Sequence, residues 1–170
     1  MNEVVQSQKA TEPRRSRPAI KDEEVDQANQ EGMLSWEWFR ERMIAAHNYW
    51  LCSIRPDGRP HAMPVWGVWL NETFYFSTSR RSHKGRNLAA NPEVVIHLES
   101  GDEAVIFEGI VEEISEDPAI FNAFADAYET KYPGFRPKFN PGEVTYRVVP
   151  RQAFAWREAD FQSSTTRWQF

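Results

Sequence analysis

Residues 73–92 read TFYFSTSRRSHKGRNLAANP. Positions 73–77 are β-branched and aromatic residues in a short run, as in a half-buried strand. Positions 84–90 read as a short helix, stopped at Asn91-Pro92 because the residue before a proline leaves the helical region. Between them Arg80, Arg81, Lys84 and Arg86 gather around His83, in a chain whose formal net charge is −5. The first N–H groups of a helix lack internal partners and carry partial positive charge, so an anion is favoured at its start. Ser77, Thr78, Ser79 and Ser82 add hydroxyl donors, and Lys84 or an arginine supplies full charge. The segment has the composition of a phosphate cradle, with a solvated cationic loop as the alternative. Helical spacing puts Lys84, Asn87 and Leu88 on one face. Leu88 belongs to the core, which turns Lys84 and Asn87 inward and Arg86 away.

Working outward, residues 49–54 and 59–70 read as strands around Arg55-Pro56-Asp57-Gly58, a hairpin turn. Pro60 and Pro64 put the first half of the second strand on an edge or at a bend. Ahead of the hairpin, Ser35 caps a helix with Glu37 in its first turn and Trp36, Phe39, Met43 and Ile44 at near-helical spacing. Beyond the cationic loop, residues 94–99 and 104–114 are strands joined by Ser100-Gly101-Asp102-Glu103. Asp117 caps a further helix with Pro118 at its first position and an apolar face of Ile120, Phe121, Phe124, Ala127 and Tyr128. Residues 133–142, rich in Pro, Gly and Lys, form a loop, and 144–149 and 153–156 are the last strands. Sequential antiparallel strands with helices at the edges predict a mainly β fold with flanking helices, a small closed or half-open barrel.

The chain has 170 residues, one domain's worth, with 41% hydrophobic and 14% aromatic residues. A single cysteine, Cys52, excludes an internal disulfide and a Cys-based zinc site, and its apolar setting makes it a buried structural thiol. No run of about twenty apolar residues is present to span a membrane. The polar N-terminal stretch has no apolar signal core, so a cytoplasmic location is expected. The acidic balance argues against nucleic acid as a partner. Residues 1–32, which include the basic run Arg14-Arg15-Ser16-Arg17, are expected to be a flexible, solvated tail. The folded domain is expected to span 33–170.

Several of these motifs together resemble the pyridoxamine 5′-phosphate oxidase-like split-barrel flavoproteins, including their flavin and deazaflavin oxidoreductase branch. They are Pro56-Asp57-Gly58-Arg59-Pro60-His61-Ala62-Met63-Pro64-Val65-Trp66, then Phe74 to Thr78, then Ser82-His83-Lys84-Gly85-Arg86-Asn87-Leu88 ending at Asn91-Pro92. The strand at 94–98, Glu108-Gly109 and Thr166-Arg167-Trp168 complete the set. The resemblance implies a six-stranded split β-barrel, a homodimer, and a flavin-type cofactor at the subunit interface, so that 33–170 is a split-barrel flavin-binding domain. It implies that Ser77 and Thr78 reach the cofactor, that Ser82, His83 and Lys84 match the phosphate-binding triplet, and that Arg59, His61, Val65 and Trp66 lie on the strand beside the ring. Asn87 joins this set from the helix face, and Arg167 and Trp168 are a loose C-terminal counterpart. Two features depart from the oxidases: Ala104 stands where they carry a glutamine, and their C-terminal arginine–histidine pattern is missing. Both favour a divergent reductase.

A cofactor that carries the hydride chemistry explains why no triad or carboxylate pair stands out. The four histidines lack metal-ligand spacing, and no metal is expected. His61 is the histidine best placed to meet a ring or substrate. Trp66 and Trp69 fall on opposite faces of a regular strand, and the resemblance selects Trp66; Trp156 and Trp168 either close the pocket or pack the core. The expectation is an FMN-dependent oxidoreductase acting on a small organic substrate, with F420 as the alternative cofactor because Arg80, Arg81 and Arg86 would suit its acidic tail. A non-catalytic flavin- or haem-binding protein on the same scaffold is the second reading, and a nucleic-acid binder a distant third.

Overall fold

The computed structural model describes residues 12–19 and 28–170. In chain order it contains β1 (Arg14–Ser16), α1 (Trp36–Ala45), β2 (Tyr49–Ile54), β3 (Pro60–Val65), β4 (Val68–Leu70) and β5 (Thr73–Ser79). There follow α2 (His83–Ala90), β6 (Glu93–His97), β7 (Glu103–Glu113), α3 (Pro118–Lys131), β8 (Glu143–Arg157), α4 (Phe161–Ser164) and β9 (Thr166–Gln169). Ser35 and Asp117 cap their helices as the sequence places them, Ser35 accepting from the Trp38 N–H and Asp117 from Ala119 and Ile120. Ser82 caps α2 by accepting from Gly85, so that the helix begins at His83, one residue ahead of the start the sequence suggested.

The described strands form one antiparallel sheet of nine, more than the six the resemblance implied. Its main path runs β3-β2-β6-β7-β8, and β8 carries β5 and then β4 along its first half and β9 and then β1 along its second. The two ends of the curl, β3 and β4, are consecutive in the chain and separated only by Trp66 and Gly67, yet no ladder joins them. The sheet therefore wraps into a barrel that is not closed by hydrogen bonds. The single strand predicted over 59–70 is two, because the chain changes partner here from β2 to β5, and Gly67 is closely packed at the change. A Cβ there would lie 2.3 Å from Phe74 Cζ and 2.6 Å from the Tyr75 carbonyl oxygen.

Alternation along the strands fills the barrel with Leu51, Phe74, Phe76, Ile96, Phe107 and Val148, all at or near zero exposure. Helix α1 closes one end: Phe39 stacks on Trp36 at 4.7 Å and meets Trp168 edge-on at 5.4 Å. Ile44 is 52% exposed, so the apolar face of α1 is narrower than its spacing suggested. No helix among the described residues is long and apolar enough to cross a membrane.

Two further expectations are corrected. The strands predicted over 144–149 and 153–156 are one fifteen-residue strand, β8, that passes through a bulge. Gly109 pairs with Pro150 and Glu108 with Gln152, so Arg151 is the extra residue and Pro150 sits where the ladder is already interrupted. At the N-terminus, Arg14–Ser16 pairs as a strand with Gln169, Trp168 and Arg167 of β9, with the Arg14 and Arg15 side chains exposed as expected of a solvated run. Arg17 is buried and donates to the carbonyls of Asn29, Glu31, Ser163 and Thr165 at 2.6–3.0 Å. A fork of five N–H donors is well suited to holding several carbonyls at once. The rest of the expected flexible tail, residues 1–11 and 20–27, lies outside the described residues.

The bulge gives the first prediction. A Cβ on Gly109 would lie 2.1 Å from the Val149 carbonyl oxygen, a contact with backbone that no side-chain rotation relieves. Gly109→Ala should cost about 2–3 kcal/mol, read as a lower urea midpoint with an unchanged slope.

Candidate functional site

Helix α2 begins where β5 ends and lies directly against it. A Cβ on Gly85 would come within 2.3 Å of the Ser79 carbonyl oxygen, so only glycine allows this approach. Ser82 Oγ accepts from the Gly85 N–H at 2.9 Å and lies 3.0 Å from Thr78 Oγ1, which ties the helix start to the strand. Asn87 is buried and donates to Ser53 Oγ at 3.1 Å, fixing the other side of α2 to β2. The helix thus bridges two strands that are not neighbours in the sheet.

At this bridge, cations outnumber carboxylates, and the one carboxylate present among the described residues, Asp57, is paired with Arg59. The His61 and His83 rings are 6.0 Å apart. His61 Nδ1 and Arg55 Nε are both buried and have no hydrogen-bond partner. Partial burial first, then the nearby charges of Arg55, His83 and Lys84, hold the His61 imidazole below its ordinary range. Lys84 is half-buried, its ammonium pushed down by burial, and no carboxylate pairs with it among the described residues. A cavity of about 210 Å³ opens here, lined by Arg55, Asp57, Arg59, His83, Arg86 and Asn87, with the Asp57 carboxylate already taken up by Arg59. Unpaired buried donors around a small cavity are costly unless something negative completes them. A phosphate group has the required charge and acceptors, so the corner fits one.

Two of the loop's other cations are engaged, and Arg81 is exposed. Arg80 pairs with Glu113, and Arg86 donates to the Arg81 carbonyl and lies 3.2 Å from His83 Nδ1. Arg59 stands at the cavity rim, but its guanidinium turns back on Asp57 at 2.8 and 3.0 Å, and this holds the Asp57 carboxyl below the usual range.

A second, larger groove of about 730 Å³ lies alongside. Ser77, Thr78 and Trp66 line it, three residues that the sequence singled out. Ser77 Oγ is 2.7 Å from Thr145 Oγ1 on the neighbouring strand. The Trp66 ring lies parallel to Tyr132 at 4.6 Å, with an interplanar angle of 2°. Beneath that stack, Lys131 donates to the Gly67 carbonyl at 3.2 Å and sits 4.5 Å above the Tyr49 ring. Burial lowers its pKa to about 8.

Of the expected site residues, the structure brings together His61, Ser82, His83, Lys84 and Asn87 at the cationic corner, and Trp66, Ser77 and Thr78 at the groove. Others are corrected. Val65 is buried in the barrel core, because strand alternation sends it inward beside Tyr49. Trp168 is 1% exposed and packs on Phe39, so it closes the core rather than a cleft. Arg167 donates to Ser16 Oγ at 3.2 Å and serves the β1–β9 contact. Arg55, Lys131 and Tyr132 were missed. Arg55 reads as part of a turn, and the pair at the end of α3 shows only as helix-end residues until the Trp66–Gly67 break docks on them.

A sequence profile described as pyridoxamine 5′-phosphate oxidase matches residues 36–157. The chain belongs to this family. A pyridoxine/pyridoxamine 5′-phosphate oxidase of Ralstonia pickettii (strain 12J) is 34% identical over 133 residues, covering 74% of this chain. The chain spans 60% of that relative's length. Among solved structures, a conserved hypothetical protein of Mycobacterium tuberculosis superposes with a TM-score of 0.64 at 25% identity, covering 73% of this chain and 85% of the other. An F420 reductase gives 0.56 at 27% identity, covering 67% and 94%. The unclosed barrel is the family's split barrel, as expected.

A pH prediction follows from the corner. His61 should titrate below an ordinary histidine in the free protein and move upward when inorganic phosphate is added, followed by imidazole NMR signals. By linkage, phosphate should bind more tightly as pH falls through the bound-state pKa, because the protonated ring is the form that the anion stabilises. Binding that is flat with pH, or a His61 signal indifferent to phosphate, would count against the corner as an anion site.

Proposed function

We propose that this chain is an oxidoreductase that binds a phosphorylated flavin-type cofactor, FMN in the first instance, and passes hydride between it and a small organic substrate. The observation that carries this reading is the cluster of Arg55, His61, His83 and Lys84 beside a phosphate-sized cavity whose one carboxylate among the described residues, Asp57, is paired with Arg59. The bound cofactor would supply the hydride chemistry. The chain's own contribution is binding and orientation. Lys84 and the start of α2 offer charge and N–H donors to the phosphate, His61 offers a ring N–H, and Ser77 and Thr78 offer hydroxyls along the groove. Trp66, fixed by its stack on Tyr132, gives a flat wall for a planar ring.

The outer face of the sheet supports the expected homodimer. Trp50, Cys52 and Ile54 alternate outward on β2, with Val95 and Ile106 beside them, none fully buried in the single chain. Trp50 lies parallel to His97 at 6.3 Å, leaving a flat apolar patch suited to a second copy. F420 remains the alternative cofactor: an F420 reductase is 27% identical, and the exposed Arg81 suits an acidic tail. The family's named substrate is less well supported, since Ala104 is buried opposite Trp156 and offers no polar side chain at the start of β7.

Titration of the purified chain with FMN and with F420, followed by visible absorption and fluorescence, tests the reading. Either should bind and be turned over by an organic acceptor; binding without turnover would favour a carrier, and a protein that takes neither would remove the proposal. Lys84→Ala should weaken the bound cofactor by about ten- to a hundredfold, the scale of one charge-assisted contact, with little change in urea midpoint.

A further inference from the structure

Residues 136–139 form a strap with open space on either side. On one side lies the groove of about 730 Å³ beside Trp66, and on the other a cavity of about 660 Å³ against α3 between Pro118 and Ala125. Arg136, Pro137, Lys138 and Phe139 line both, so the strap is the partition between them. Its ends are fixed. The Phe135 N–H donates to the Tyr132 carbonyl at 3.1 Å, and the Phe135 ring meets Trp66 edge-on at 5.2 Å. At the far end Asn140 accepts from the Gly142 and Glu143 N–H groups at 2.9 Å, and the Gly142 carbonyl accepts from the Arg80 N–H at 3.0 Å.

Between those ends little holds it. Among the described residues, 136–139 make no backbone hydrogen bond, and Lys138 and Phe139 make no ion pair or ring contact. The tie is Arg136, whose guanidinium reaches Asp126 and, at 3.3 Å, Glu129 on α3. Such half-exposed pairs hold weakly. Gly134, at φ +86° with nothing within 4 Å of where a Cβ would lie, gives the loop a hinge at its start. Phe139 is 65% exposed although apolar surface lies on both sides of it, Phe121 and Ala125 across the cavity and Trp66 and Tyr128 across the groove. A segment with so few contacts and one weak tie shifts locally at low cost.

We propose that residues 136–139 are a flap over the cofactor groove, latched to α3 through Arg136, which closes with Phe139 on a planar ring lying against Trp66. The inference rests on the reading above, in which that groove holds the cofactor's ring. Trp66 gives such a ring one aromatic face, and the strap supplies another wall of the same groove. By moving inward, Phe139 exchanges contact with water for contact with the ring. The cavity on the far side gives the strap room to withdraw while the ring enters. Arg136 sets the balance between the two positions: paired on α3 it holds the flap back, and the gain at Phe139 has only that weak tie to overcome.

Limited trypsin digestion of the full chain follows the flap as cleavage after Lys138, measured against cleavage after Arg15, which lines neither cavity. Pro137 blocks the bond after Arg136. In the free chain Arg136→Gln should speed cutting after Lys138 by about two- to fivefold, the scale of exposed ion pairs, with the urea midpoint unchanged. Saturating FMN should slow that cut by about fivefold or more in the wild-type chain and leave the cut after Arg15 as it was, as for a flap closed most of the time. Phe139→Ala should raise the FMN dissociation rate by about three- to tenfold, the scale of one lost aromatic contact, with little change in the association rate. Cutting after Lys138 that is indifferent to Arg136→Gln overturns the inference, and so does an FMN dissociation rate that Phe139→Ala leaves unchanged. If FMN binds and the Lys138 bond stays unprotected, the cofactor reading stands and the flap falls. If Arg136→Gln acts as expected but neither FMN nor F420 binds, the cofactor reading falls and closure with it, while the latch stands.

Discussion

Gly67 has no space for a side chain, and much of the site follows from that. It is pressed against Phe74 and the Tyr75 carbonyl where the chain leaves the ladder with β2 and joins the one with β5. The two strands become opposite ends of one curled sheet instead of a single long strand. The break also frees the Gly67 carbonyl and N–H from any ladder. Tyr132 and Lys131 take them up: the Tyr132 hydroxyl accepts from Gly67 N–H at 3.2 Å and lies 3.0 Å from its carbonyl oxygen. Helix α3 is thereby docked at the break, and Trp66 is laid flat against it. A continuous strand would have satisfied these backbone groups by itself and left Trp66 with no fixed orientation.

Where the positive charge goes unanswered is the second determinant. Exposed pairs such as Arg80–Glu113 and Arg147–Glu112 contribute about 0–1 kcal/mol each, so their main consequence is to neutralise the loop and the adjoining strands. Lys84 and His61 are different because burial opposes their charged forms and no carboxylate offsets it. A fold under selection for stability alone would replace such groups with apolar ones at little loss. Keeping them half-buried and together makes sense if an anion completes the cluster.

Most of the fold was legible because it rests on local patterns. The caps at Ser35 and Asp117, the turn at Pro56-Asp57-Gly58 and the apolar runs of β2 and β5 each involve neighbours in sequence. The failures involve long-range packing. Pro150 looks like a strand terminator until it is paired with Gly109 across a bulge. Arg14 to Arg17 looks solvated until the carbonyls around Ser163 and Thr165 surround its last guanidinium, 145 or more residues away. Val65 and Trp168 were assigned by likeness, and strand alternation then turned both inward. The half of the site on the α2 helix was readable for the same reason as the caps. The half contributed by Lys131, Tyr132 and Phe135 depends on where α3 docks, which no local pattern encodes.

The two compartments share β5, and that strand links their mechanics. Thr78 is bonded to the cap of α2, and Ser77, one residue earlier, to Thr145 on β8, while both side chains border the aromatic groove. Gly85 keeps α2 seated on Ser79, and that seating holds Ser82 within 3.0 Å of Thr78, so the absence of one side chain there positions the corner as much as the charges beside it do.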